Sequence, residues 1–218
     1  MRIGIFDSGI GGEAIARDLA FVFSDSTIVT VNDRKNVPYG SREAEEIIRL
    51  TNTAIQPLIL GNYDYIVIAC NTATAVAIEW LRAIYPSQVF IGLEPMVKPA
   101  ALLTHSKVVA ICATPATLAS DRYNNLKKEY LQDITCIEPD CESWATMIED
   151  SQIHESYITQ EIELAITQGA DVIILACTHY HWIRELIETI VRGRATVIDP
   201  SQAIIDRIRL LEVDSQPR

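Results

Sequence analysis

The sequence predicts an α/β protein of parallel strands and covering helices, arranged as two similar lobes with a cleft between them. Three observations carry this. Short runs rich in Val and Ile alternate with longer stretches of helical period, the pattern of parallel strands buried on both faces and joined by crossover helices. Two segments nearly repeat: Asp64-Tyr65-Ile66-Val67-Ile68-Ala69-Cys70-Asn71-Thr72 and, 107 positions later, Asp171-Val172-Ile173-Ile174-Leu175-Ala176-Cys177-Thr178-His179. Two further matches, Arg2-Ile3-Gly4-Ile5-Phe6 with Lys107-Val108-Val109-Ala110-Ile111 and Glu94-Pro95 with Asp199-Pro200, fall at a spacing of 105. Agreement of these offsets favours two like units whose interface forms the pocket.

The strands are expected in order at 3–6, 27–32, 65–69, 89–93, 108–112, 172–176 and 195–198, each a short β-branched or aliphatic run. Helical patterns lie between them. The clearest spans 42–60, where Ala44, Ile47, Ile48, Ala54, Ile55 and Leu58 recur on one face. In open α/β sheets ligands bind beyond the carboxyl ends of the strands, which is where Cys70 and Cys177 fall. Matched thiols at two strand ends suit a site with one sulfur on either side of a ligand.

Composition narrows the class. The 218 residues suffice for a large core, and 49% hydrophobic with 22% charged residues excludes a mostly disordered chain. A net charge of −11 argues against a nucleic-acid surface, which needs clustered Lys and Arg. No apolar run approaches the roughly 20 residues that span a bilayer. The opening Met1-Arg2-Ile3-Gly4-Ile5-Phe6-Asp7 reads as a strand reaching an acid, unlike a signal peptide. Five cysteines, at 70, 112, 136, 141 and 177, form neither CxxC pairs nor a disulfide scaffold, so reduced thiols in the cytoplasm are expected.

Asp7-Ser8-Gly9-Ile10-Gly11-Gly12 follows the first strand and invites a nucleotide-loop reading. The GxGxxG spacing is not met and the aspartate would repel phosphate, so a turn that needs glycine is the plainer expectation. Pro38-Tyr39-Gly40 also reads as a turn. Most free cysteines are inert core residues. That suits Cys112, in apolar surroundings, and Cys136, without polar company, but not Cys70 or Cys177, each followed at once by donors. A strand-to-helix turn at both is expected to lower the thiol pKa. A zinc set of Cys177, His179 and His181 is disfavoured, because alternating residues at a strand end rarely complete a tetrahedron.

Together, Asp7-Ser8-Gly9-Ile10-Gly11-Gly12, Pro38-Tyr39-Gly40, Ala69-Cys70-Asn71-Thr72-Ala73, Glu94-Pro95 with Lys98-Pro99-Ala100, and Cys177-Thr178-His179-Tyr180 resemble the glutamate racemases of the cofactor-independent aspartate/glutamate racemase superfamily. The resemblance runs in register from residue 1 to about Ser201. It implies two doubly wound parallel-sheet lobes related by a pseudo-twofold axis, one from 1–94 with 201–218 and the other from 95–200. It further implies no pyridoxal phosphate, metal or nucleotide, an acidic amino acid as ligand, a homodimer, and a supply of D-glutamate for peptidoglycan if the substrate is glutamate or a specialised D-amino-acid pathway if it is aspartate.

Carried over by position, Cys70 and Cys177 are the two acid/base catalysts, Asp7 assists Cys70, His179 assists Cys177, and Glu149 is the acidic position near the second thiol. Ser8, Pro38, Tyr39, Gly40, Asn71, Thr72, Thr114, Thr117 and Thr178 fall on substrate-binding positions. The departures are Asn32-Asp33-Arg34-Lys35-Asn36 in place of Gly-Asp-Thr-Ala-Arg, Ala113 in place of a glycine, His181 in place of a proline, and a short C-terminus. These leave the catalytic positions intact and touch the walls. One methylene is worth only about 1–3 kcal/mol, so aspartate stands beside glutamate as substrate. A cysteine hydrolase or amidase would leave one thiol unexplained; an inactive amino-acid-binding relative would have been free to lose one.

Overall fold

The computed structural model describes residues 1–214. The chain opens with β1 (Arg2–Asp7), α1 (Gly12–Val22), β2 (Thr27–Asn32), α2 (Ala44–Ala54), α3 (Gln56–Leu60), β3 (Tyr65–Ile68), α4 (Asn71–Ile84) and β4 (Phe90–Gly92). It continues with α5 (Val97–Leu103), β5 (Val108–Cys112), α6 (Pro115–Ala119), α7 (Asp121–Tyr130), β6 (Thr135–Ile137), α8 (Trp144–Glu149), α9 (Glu155–Thr167) and β7 (Val172–Leu175). A 3-10 turn (Thr178–Ile183), α10 (Arg184–Val191), β8 (Thr196–Ile198) and α11 (Ser201–Asp214) follow.

The strands form two parallel four-stranded sheets of identical topology, β2-β1-β3-β4 and β6-β5-β7-β8. Phe6 pairs with Ile68 in the first and Cys112 with Leu175 in the second. Cys70 and Cys177 each lie two residues beyond the last paired position, so the duplication in sequence is a duplication in space.

Alternation along each strand fills a core on either face. In β7, Ile173 and Leu175 join Trp144, Ile158, Ile187 and Cys177, while Val172 and Ile174 face Val97, Ile111 and Tyr123. In β3, Ile66 and Ile68 pack with Phe6, Ile47 and Ala77, and Val67 with Ile3, Ile5 and Leu19. The latter core also takes Ile204, Ile205 and Ile208, so α11 returns to the first sheet.

Each expected strand is present, with ends shifted by at most one residue, and one is additional. β6 is three residues at a sheet edge with an exposed, half-buried, half-buried pattern, too short to show a period. The helix expected over 42–60 is two, because Pro57 removes an amide and its ring clashes with the carbonyl four residues back. Among the described residues no helix is long and apolar enough to cross a membrane.

Candidate active site

Cys70 caps α4: its Sγ accepts from the Ala73 amide at 3.4 Å and lies 3.3 Å from Ser8 Oγ. Burial pushes this thiol up to about 12, with the nearby Asp7 charge adding to the rise. The expected lowering by the helix start is therefore overturned: the cap bond and Ser8 pull downward, but desolvation wins. Cys177 differs. It precedes a 3-10 turn rather than an α-helix, with no side-chain cap bond, and its Sγ lies 3.8 Å from His179 Nδ1.

His179 Nε2 meets Glu149 Oε1 at 2.5 Å, and the same oxygen accepts from the Ile10 amide at 2.9 Å. Burial alone would push His179 down; its bonds to Cys177 and Glu149 outweigh that and lift it to about 11. The bond from His179 holds Glu149 below the usual carboxylate range against the opposing effect of burial. An imidazolium thus sits beside Cys177, with a carboxylate behind it.

Asp7 does not bond Cys70. Its Oδ1 accepts from Thr178 Oγ1 at 2.9 Å and its Oδ2 from the Gly9 amide at 2.8 Å, which leaves Ser8 as the direct partner of the first thiol. On the other side, Thr72 and Thr114 share a bond of 2.8 Å, and Thr117 lies 3.0 Å from Thr114 and 3.3 Å from Thr72. The end of β1 is tied to the hydroxyl after Cys177, and the loop after β5 to the hydroxyl following Cys70 by two. The cross-bracing mirrors the repeat.

Residues 13–208 match a family model described as Asp/Glu/Hydantoin racemase. The chain belongs to this family. A glutamate racemase from Herpetosiphon aurantiacus is 35% identical over 206 residues, covering 93% of this chain and 81% of that protein. The crystal structure of a glutamate racemase isoform from Bacillus anthracis superposes with a TM-score of 0.84 at 26% identity, over 98% of this chain and 82% of the other. A glutamate racemase from Francisella tularensis, solved with D-glutamate, gives 0.83 at 28% identity, over 98% and 81%.

As in the racemase resemblance, Asn71 stands at the start of α4. It is 3% exposed, and neither Nδ2 nor Oδ1 has a partner. A buried amide left unpaired costs stability, so a ligand that completes it is the economical explanation. Tyr39 is enclosed: its hydroxyl donates to Asp33 Oδ2 at 2.7 Å and its ring packs on Phe6, so it supports the wall rather than opening onto the cleft. Pro38 leads into it, and the Gly40 carbonyl accepts from the Ala116 amide at 3.0 Å. Asp33 lies within the stretch that departs from the racemase pattern, and only its place six residues before Tyr39 hints at a role.

The glycine-rich loop is not a set of positive-φ turns: among the described residues the glycines with positive φ are Gly169 and Gly193. It permits close approach between lobes. A Cβ on Gly9 would overlap Glu149 Oε1, and one on Gly11 would stand 2.5 Å from Thr178 Cβ. Gly11 has φ of −63°, so its backbone accepts any side chain and contact alone forbids one. Gly11→Ala should therefore destabilise the protein by about 1–3 kcal/mol, read from the denaturant midpoint; a midpoint equal to that of the parent would show the lobes are not so closely apposed.

Cys112 is fully buried, as expected of an inert residue. Cys136 is not without polar company, because its Sγ lies 3.5 Å from the Tyr123 hydroxyl. His181 Nδ1 lies 4.0 Å from Asp199 Oδ1, and among the described residues no group of three or more His, Cys, Asp or Glu side chains is placed to hold a metal ion. His181 borders a cavity of about 810 Å³ with Ala14, Met96, Arg184 and Ser201. That cavity contains neither thiol. Convergence of polar groups, rather than volume, marks the candidate site, where Cys70 and Cys177 are only 5% and 6% exposed.

Proposed function

We propose that this protein interconverts L- and D-glutamate with two thiols on opposite faces of the α-carbon, Cys70 and Cys177, one removing the α-proton while the other supplies a solvent-derived proton. The single observation behind the mechanism is the duplicated thiol, set at equivalent positions beyond two equivalent strands in one cleft. Glutamate, rather than aspartate, follows the relatives named above. The chemistry is consistent. The α-proton is weakly acidic, so the site must stabilise a carbanion-like state with placed donors and without water. Hydroxyls of Ser8, Thr72, Thr114, Thr117 and Thr178 and the unpaired Asn71 amide supply donors, and carboxylates can be held by such groups and by helix starts without arginine.

Cys70, pushed up to about 12, holds its proton near neutrality, so it gives a proton in one direction of the reaction and takes one in the reverse direction. At Cys177 the His179 cation balances negative charge that develops on sulfur, and Glu149 keeps that cation in place. Asp7 aligns Thr178 and acts on Cys70 through its charge. We assign the lobes to 1–94 with 201–218 and to 95–200, supported by the two sheets and by the packing of α11; residues 215–218 lie outside the described residues. A homodimeric enzyme of the cytoplasm, supplying D-glutamate for peptidoglycan, completes the reading. It draws support from five free thiols and from exposed apolar side chains such as Phe21 and Leu102.

Racemisation in heavy water tests the mechanism. Product enantiomer should carry deuterium at the α-carbon from the first turnovers, while remaining substrate stays protiated, because each face is served by its own sulfur. Early-time mass spectrometry of the separated enantiomers reads both. Protium retained in product, or deuterium entering substrate ahead of racemisation, would mean one base serves both faces.

A further inference from the structure

Closure over the thiols means that an amino acid reaches them only when the lobes part. Most ties between the lobes are part of the site itself: Asp7 with Thr178, Ile10 with Glu149, Thr72 with Thr114, Gly40 with Ala116. One is remote. Arg122, near the start of α7 in the second lobe, directs Nε at both carboxylate oxygens of Glu94, each at 3.1 Å, and its Nη2 also bonds Glu94. Its Nη1 donates to Glu79 Oε1 at 2.9 Å. Glu94 lies in the segment that carries the chain from β4 to α5, between the lobes. Glu79 lies on α4, the helix whose first residues present Cys70, Asn71 and Thr72, and it also receives Arg82 Nη1 at 2.9 Å.

We infer that Arg122 is a positioning residue for the proposed reaction: its fork on Glu94 and Glu79 holds α4, and with it Cys70, at the closed-cleft position against the second lobe. Its catalytic consequence rests on the racemase reading; its structural part does not. An isolated exposed ion pair is worth little, because two long side chains must be ordered for one contact. Here the fork on Glu94 already orders the guanidinium, on a side chain only 26% exposed, so the bond to the more exposed Glu79 needs little further ordering. Arg122 touches neither thiol nor the hydroxyl cluster, so it acts through the angle between the lobes.

The Ala116 amide, bonded across the lobes to Gly40, reports this angle without any catalysis. In Arg122→Gln its hydrogen exchange should accelerate by about two- to fivefold, while that of Val67 in β3 is unchanged. Salt of about 0.5 M should produce the same acceleration in the parent and none in the variant. Glu79→Gln should accelerate Ala116 exchange less than Arg122→Gln, because the fork on Glu94 remains, and the double variant should match Arg122→Gln. In kinetics, KM for both enantiomers should rise by a common factor with kcat less affected, because less of the protein rests in the binding-competent form. Unchanged Ala116 exchange would overturn the clamp whatever the activity, as would equal acceleration at Val67, which signals general loosening. Faster exchange with unchanged KM would remove the catalytic part. Faster exchange in Arg122→Gln, with a parent protein that racemises nothing, would uphold the clamp and defeat the racemase reading instead.

Discussion

Cys70→Ser and Cys177→Ser should each lower racemisation by about three orders of magnitude or more, since a serine hydroxyl is a far poorer base than a thiolate near neutral pH. The two losses should be similar, although the sulfurs sit differently. Cys70 is bonded to Ser8 and to the start of α4, whereas Cys177 faces the His179 cation. Racemisation uses both in every turnover, one taking and one giving, so loss of either stops the cycle. A hydrolase built on one nucleophile would behave otherwise, with one variant dead and the other close to normal. Each serine variant should retain a residue of one-sided chemistry, in which the surviving sulfur exchanges the α-proton of one enantiomer with solvent without inverting it. The two variants should act on opposite enantiomers. Measuring turnover together with α-deuterium in each recovered enantiomer decides the matter; near-normal racemisation by either variant would refute the two-base mechanism.

Much of this site is legible in the sequence because the fold repeats. Strand ends in parallel sheets are buried and β-branched, so the residues bounding Cys70 and Cys177 stand out, and their spacing points to two like lobes. Residues that act through tertiary packing are hidden. The glycines of the first loop read as turn residues, whereas Gly9 and Gly11 are there because Glu149, His179 and Thr178 of the other lobe lie against them. Position alone assigns Asp7 to Cys70; the fold gives Cys70 a bond to Ser8 and turns Asp7 across the cleft to Thr178. The expected lowering of the Cys70 pKa fails for a physical reason. A helix start is visible in sequence, but the burial that overrides it depends on closure by residues far along the chain. β6 lacks a signal because three residues at an edge carry no period, and the break between α2 and α3 lies in plain view at Pro57.

Glu149→Gln should convert a flat pH profile into a falling one. In the parent, His179 loses its proton only near 11, because its bonds to Cys177 and Glu149 overcome burial. Without the carboxylate, burial regains ground and the imidazole titrates at a lower pH, so activity that needs the cation should decline across roughly pH 7 to 9. The loss should be about tenfold at neutrality and larger at pH 9. Stability should follow the same groups with defined signs. His179 has a folded pKa above its ordinary 6.5, so its contribution is complete below 6.5 and fades as pH rises toward 11. Glu149 has a folded pKa below its ordinary 4.5, so its contribution is complete above 4.5 and is lost as pH falls through the depressed value. The stability gap between parent and variant should therefore be widest between these ordinary values and narrow on either side. Urea midpoints and turnover measured from pH 4 to 9.5 test both halves. Parallel profiles for the two proteins would show that His179 keeps its charge without Glu149, and the carboxylate would then serve only to fasten the Ile10 amide of the first lobe to the second.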